Sequence, residues 1–171
     1  MSKLILMCGC PGSGKSTWIQ NHKNFFKDNI KVVSRDAIRF SMLKDGEDYF
    51  AHEDDVFKTF IAEIGSGLKE NKTVIADATH LNPASRSKVL KALGENLKGV
   101  YVEAIFIKVS LKTALDQNEN RKDTKTYVPR GVIRRMYESL ETPDILEGFD
   151  KVYIYNPQSK EGSKYTILSR E

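Results

Sequence analysis

The stretch Gly9-Cys10-Pro11-Gly12-Ser13-Gly14-Lys15-Ser16, directly behind the apolar run Lys3–Cys8, constrains this chain more than any other feature. It fits G-x-x-x-x-G-K-[ST]. Glycines let the backbone curl so that successive N–H groups face an anion. The helix that follows adds unpaired N–H groups and the positive end of its dipole. Lys15 offers a point charge to the β- and γ-phosphates of a nucleotide, and the Ser16 hydroxyl can ligate Mg²⁺. Gly9, Pro11, Gly12, Ser13, Gly14, Lys15, Ser16 and Thr17 are therefore the expected nucleotide-binding residues. Ser16 is the expected metal ligand, and ATP and Mg²⁺ are the expected cofactors.

Further apolar and β-branched runs occur at Lys31–Ser34, Thr73–Ala76, Val100–Val109, Lys151–Tyr155 and Lys164–Leu168. Helical spacing covers Lys15–Lys27, Asp36–Leu43, Asp54–Glu70, Pro83–Leu97, Ser110–Asn120 and Pro129–Glu141. Strands alternating with helices of about a dozen residues predict an α/β fold with a central parallel sheet covered on both faces. A length of 171 residues predicts one domain over 1–171. Two polar segments, Lys44–His52 and Asn118–Pro129, interrupt the pattern. The second is expected to belong to a helical lid over residues 117–131, because cations beside a phosphate site suit a closing loop.

Hydrophobic residues make up 40% of the chain and charged residues 29%, as in soluble globular proteins. No run of 18 apolar residues occurs, so no membrane span is expected. Cys8 and Cys10 are too close in sequence for an unstrained disulfide. Three scattered histidines do not complete a zinc site. Reduced thiols and a cytoplasmic location are the expectation. The net charge of +4 suits a polyanionic partner, though only weakly.

Ligands of parallel sheets collect at the carboxyl ends of the strands. Ser34-Arg35-Asp36, followed by Arg39, falls at such an end. Asp36 can accept a proton from an attacking hydroxyl, or serve as a helix N-cap. Arg39, one turn on, can grip a substrate phosphate or pair with Asp36. A second strand end carries Asp77, Thr79, His80, Asn82 and Arg86. Asp77 is a candidate for the Mg²⁺ environment. Asn82-Pro83 also reads as a helix start, and His80 as polar lining at the rim. Arg121 can stabilise charge on a transferring phosphoryl group. Lys122, Lys125, Arg130, Arg134 and Arg135 surround it, outnumbering Glu119 and Asp123.

Taken together, these blocks resemble the kinase domain of phage polynucleotide 5′-kinase/3′-phosphatase and related kinase domains of bacterial RNA-repair proteins. The matching blocks are GCPGSGKSTW, SRDAIR, LNPASR, NENR and VPRGVIRRMYESL. The resemblance implies a P-loop kinase-like fold and transfer of the ATP γ-phosphate to the 5′-hydroxyl of DNA or RNA. It implies Asp36 as general base, Lys15 and Arg121 as catalytic cations, and Arg39 as a grip on the acceptor phosphate. Arg35, Asp77, Thr79, Asn82 and Arg86 are the further substrate-binding candidates. Nucleic-acid 5′ ends are the implied partner, with a separate ligase or phosphatase acting alongside. No D-x-D-G-T motif occurs, so no 3′-phosphatase activity is implied. Aligned on Leu81-Asn82-Pro83, Ala78 rather than Asp77 falls opposite an acidic residue of the phage enzyme. The lid is longer than the phage one, so Lys122 and Lys125 stand beside Arg121 as candidates for ATP contact. The rival readings are a small-molecule kinase for nucleosides or sugars, and a non-catalytic nucleotide-binding subunit of a repair complex.

Overall fold

The first strand, β1 (Lys3–Cys8), has five consecutive residues, Leu4 to Cys8, with no exposed surface. A strand apolar on both faces must lie inside a sheet with layers above and below. The computed structural model describes residues 1–26 and 29–170, and it has this arrangement. The remaining elements are α1 (Lys15–His22), β2 (Ile30–Ser34), α2 (Arg35–Met42), α3 (Glu53–Lys69), β3 (Thr73–Asp77), α4 (Pro83–Leu93), β4 (Tyr101–Ile107), α5 (Leu111–Glu119), α6 (Arg130–Glu138), β5 (Lys151–Tyr155) and β6 (Tyr165–Ser169). The sheet order is β2-β3-β1-β4-β5-β6.

Successive side chains of a strand point to opposite faces, and β1 divides the core accordingly. Leu4, Leu6 and Cys8 join Val56, Phe60 and Ile64 of α3 and Val89 and Leu93 of α4. Ile5 and Met7 join Trp18 and Ile19 of α1, Ala114 and Leu115 of α5 and Ile133 of α6. Phe60 is fully buried. Its truncation to alanine would cost about 3–5 kcal/mol, since transfer energy and a cavity add.

Five strands run parallel, and β6 runs antiparallel to β5. The expected central parallel sheet is present, with its last strand an antiparallel addition. The link from Asn156 to Lys164 carries no helix, and a parallel return needs a crossover of a dozen residues or more. Three helices, α1, α4 and α6, are clearly shorter than their spacing suggests, α6 ending at Glu138 rather than Glu141. α1 gives way to a 3₁₀ turn at Lys23–Phe26, and Lys27 lies outside the described residues. α4 stops at Gly94, whose φ of +48° ends the helix before a 3₁₀ turn over Gly94–Leu97. Among the described residues, no helix is long and apolar enough to cross a membrane. Cys8 and Cys10 are buried free thiols, and burial pushes their pKa values up to about 12 and about 11.

Register brings the functional ends together. Ser34 pairs with Asp77 across β2 and β3, and Cys8 with Phe106 across β1 and β4. The carboxyl ends of β1, β2 and β3 therefore open into one space.

Candidate active site

That space is a cleft of about 1020 Å³. Its floor is the glycine-rich loop. Gly12 has φ +81°, and a Cβ there would lie 2.3 Å from the Ala114 carbonyl oxygen of α5. Any side chain would push the loop off α5. Gly14, at φ +101°, turns the chain into α1 as its N-cap. Lys15 Nζ donates to the carbonyls of Gly9 (3.0 Å) and Cys10 (3.1 Å), which holds the ammonium at the loop. Desolvation lowers its pKa, and the nearby Asp77 carboxylate opposes that shift. Burial in turn raises Asp77, opposed by Lys15. Ser13 Oγ is buried with no hydrogen-bond partner.

The second wall is built by α2 and the start of α3. Ser34 caps α2, its Oγ accepting from the Ala37 N–H at 3.2 Å. The cap is therefore not Asp36, whose side chain stays 53% exposed and lines the cleft. Arg39 is 5% exposed and spends its guanidinium inward. Nη1 donates to Asp36 Oδ1 (2.6 Å) and to the Tyr49 hydroxyl (2.9 Å), and Nη2 to Glu53 Oε2 (2.8 Å). Arg35 pairs with the other Glu53 oxygen. Burial is the largest influence and disfavours the Arg39 charge, but Glu53, Tyr49 and Asp36 together outweigh it and its pKa is raised. Tyr49 donates to Asp36 Oδ1 at 2.8 Å. Burial first, and Asp36 second, raise the Tyr49 pKa, so the phenol remains a donor.

The third wall comes from the segment between α5 and α6. Asn118 is fully buried. Its Nδ2 donates to the Val128 carbonyl (2.7 Å), and its Oδ1 accepts from the Val128 N–H (3.1 Å). The same oxygen accepts from Arg121 Nη2 at 3.3 Å. Arg121, Tyr127, Val128 and Pro129 line the cleft. Burial lowers the Arg121 pKa, and the charge of Asp36 counteracts it. Between α5 and Pro129 the chain makes turns and not helix, so the lid is helical only at its two ends.

Pro11, Gly12, Ser13, Gly14, Lys15, Ser16, Thr17, Arg35, Asp36, Arg39, Asp77, Thr79 and Arg121 all line this cleft. Gly9 lies behind it, its N–H donating to the Thr79 carbonyl at 2.9 Å. Four expectations are corrected. Arg86 is fully buried and bidentate to Glu147 (2.7 and 2.8 Å), with Nη1 on the carbonyls of His80 and Glu141. Four of its five N–H groups are engaged there, and the side chain does not line the cleft. Asn82 caps α4 in a reciprocal pair with Ser85 and stays outside the cleft lining. His80 is buried rather than at the rim, with Nδ1 on the Met7 carbonyl at 2.6 Å. Lys122 and Lys125 are exposed and do not line the cleft. Tyr49, Phe50 and Glu53 were not singled out by sequence. The signal for Tyr49 and Phe50 was an adjacent aromatic pair inside the polar run Lys44–His52, and Glu53 follows directly behind it.

An AAA domain family (AAA_33) matches residues 4–143. The chain belongs to this family. Its fold is that of the P-loop kinases, and the matched stretch is a P-loop kinase domain. The domain is 28% identical over 156 residues to an L-seryl-tRNA(Sec) kinase of Methanococcus maripaludis, covering 86% of this chain and 56% of that one. It thus spans little more than half of that relative. A chain of the Pnkp1/Rnl/Hen1 RNA repair complex superposes with TM-score 0.69 at 24% identity, over 81% of this chain and 44% of that one. A gluconokinase from Sinorhizobium meliloti superposes with TM-score 0.59 at 18% identity, over 92% and 83%.

Proposed function

We propose that this domain is an ATP-dependent polynucleotide 5′-hydroxyl kinase. One observation carries the reading: the Asp36 carboxylate, half-exposed and freed from capping, lines the same cleft as the loop that holds Lys15. A nucleotide switch has no need of a carboxylate at the acceptor position. Phosphoryl transfer does, because a hydroxyl must lose its proton as it attacks.

The roles follow from the groups present. The loop amides and Lys15 hold the donor phosphates. Asp36 Oδ accepts the acceptor's hydroxyl proton while the oxygen bonds to the γ-phosphorus and ADP leaves. Lys15 and Arg121 offset negative charge on the transferring group. Arg39 does not reach freely into solvent. It orients Asp36 from behind and offers the rest of its fork to the acceptor wall.

Among the described residues no three His, Cys, Asp or Glu side chains gather into a metal centre. The Ser16 hydroxyl would hold a magnesium ion carried in with the nucleotide, with Asp77 in the same cleft. Such an ion neutralises β- and γ-oxygens when bound.

The RNA-linked relatives favour a nucleic-acid acceptor, acting beside a separate sealing or phosphatase enzyme. A small-molecule kinase is the second reading, since a gluconokinase shares the fold. Labelled γ-phosphate offered with 5′-hydroxyl RNA, 5′-hydroxyl DNA, nucleosides and gluconate decides between them. Label in the oligonucleotides is expected. Label confined to nucleoside or gluconate overturns the polynucleotide reading.

A further inference from the structure

Tyr49 and Phe50 occupy the segment between α2 and α3, and both line the cleft. Phe50 is 56% exposed and Tyr49 37%. Large aromatic side chains held in water oppose the hydrophobic effect unless something covers them. The segment that holds them is well fastened. The Phe50 N–H donates to Asp48 Oδ1 at 2.9 Å and the Ala51 N–H to the Asp48 carbonyl at 3.0 Å. Glu47 Oε2 meets both the Lys44 N–H and His52 Nε2, each at 2.8 Å. The two rings stand edge to face, with centroids 4.8 Å apart and planes at 86°.

Their position relative to the chemistry is fixed by two contacts. The Tyr49 hydroxyl is bonded to Asp36, and the Arg39 guanidinium lies 4.4 Å from the Tyr49 ring centroid and 5.9 Å from that of Phe50. The Asp36 carboxylate is flanked by the Arg39 guanidinium and the Tyr49 hydroxyl, both bonded to it, and the Phe50 ring packs edge to face on Tyr49. A terminal nucleotide carries a hydroxyl, a phosphate next to its sugar, and a base. A polyol or sugar acid carries hydroxyls throughout and would need hydrogen-bonding partners where this wall offers ring carbon.

We propose that the Tyr49–Phe50 corner is a stacking ledge for the nucleobase of the terminal nucleotide whose hydroxyl meets Asp36. This rests on the reading of the acceptor as a nucleic-acid end. Every base has a π face, so the ledge senses that a base is present and not which one. Tyr49 also touches Asp36, so its replacement would disturb two functions at once. The Phe50 side chain makes no hydrogen bond to Asp36, so its replacement tests the stacking with that contact left in place.

The test uses 5′-hydroxyl oligonucleotides identical except that the terminal nucleotide is normal or abasic. With the wild-type domain, the abasic end is expected to raise KM about tenfold. Phe50→Leu is expected to raise KM for the normal end to the abasic level and erase the difference, and Phe50→Trp to restore it. A terminal 2-aminopurine should be quenched on binding to the wild type and not to Phe50→Leu. Equal KM values for the two ends in the wild type, with transfer intact, overturn the ledge and leave the kinase reading standing. No transfer to any oligonucleotide, with label entering a nucleoside or gluconate, overturns both. The wild-type comparison decides the matter even where a variant does not fold.

Discussion

Asn118 grips Val128 with both ends of its amide, donating to the carbonyl at 2.7 Å and accepting from the N–H at 3.1 Å. The pair imitates one rung of a sheet between the end of α5 and the start of α6. It closes the turns that carry Arg121 into a single fastened arc.

Asn118→Leu keeps the volume and removes both bonds. It leaves a partly buried N–H and carbonyl unpaired, for a loss of about 2 kcal/mol. Urea unfolding should show that loss, and a nucleotide titration should show weaker ATP binding as Arg121 loses its anchor. Unchanged stability and affinity would mean that the arc is held elsewhere.

Asp36→Asn keeps the shape of the acceptor wall and the contact with Arg39, but removes the proton acceptor. Nucleotide affinity should stay within about twofold, while single-turnover transfer should drop by about 10²–10⁴. Transfer at the wild-type rate would take the role of base away from Asp36.

Arg86 and Glu147 form a buried bidentate pair beneath the loop that carries His80. Breaking one half of such a pair strands a charge. Glu147→Ala should therefore destabilise by about 3–5 kcal/mol, measured by denaturant unfolding. Replacing both, Arg86→Met with Glu147→Leu, should recover much of the loss. A single variant as stable as wild type would contradict the buried pairing.

His80 makes stability depend on pH. Burial lowers its pKa from 6.5 to about 4, and Arg35, Lys15 and Arg86 add to the effect. Its Nδ1–H donates to the Met7 carbonyl, so protonation would fall on the buried, unpartnered Nε2. Between these two pKa values the unfolded chain binds more protons than the folded one. This contribution is therefore complete above pH 6.5 and lost as pH falls towards 4, on the order of 3 kcal/mol in all. His80 sits at φ +41°, a region that asparagine tolerates. The stability difference between wild type and His80→Asn, followed by thermal melts from pH 7 to 4, should shrink across that window. A constant difference would show that His80 does not titrate there.

The strands and the phosphate loop were legible because their signals are local. A β-branched run and a glycine-lysine spacing mean the same thing wherever they occur, and β1 and β5 fall at their expected bounds. What escaped was settled by partners far along the chain. Arg86 next to a strand tip looks like a substrate ligand until Glu147, 61 residues away, is seen to fill its fork. Asp36 read equally as base or cap because nothing in the spacing favours Ser34 over it as the cap. Tyr49 gave no hint of its bond to Asp36, since that contact depends on how α2 turns back onto α3. The antiparallel β6 could have been foreseen, because its link to β5 is too short for a crossover.

The close approach of Gly12 to the Ala114 carbonyl has a consequence for how the protein could be re-engineered. Donor grip and the root of α5 form one inseparable piece, since neither backbone can shift without striking the other. Exchangeability begins only past Asn118. Grafting a foreign arc between that residue and Val128, with Arg121 kept at its place, would reshape the far wall of the cleft while the glycine-rich loop and Lys15 keep their share of the grip on the triphosphate.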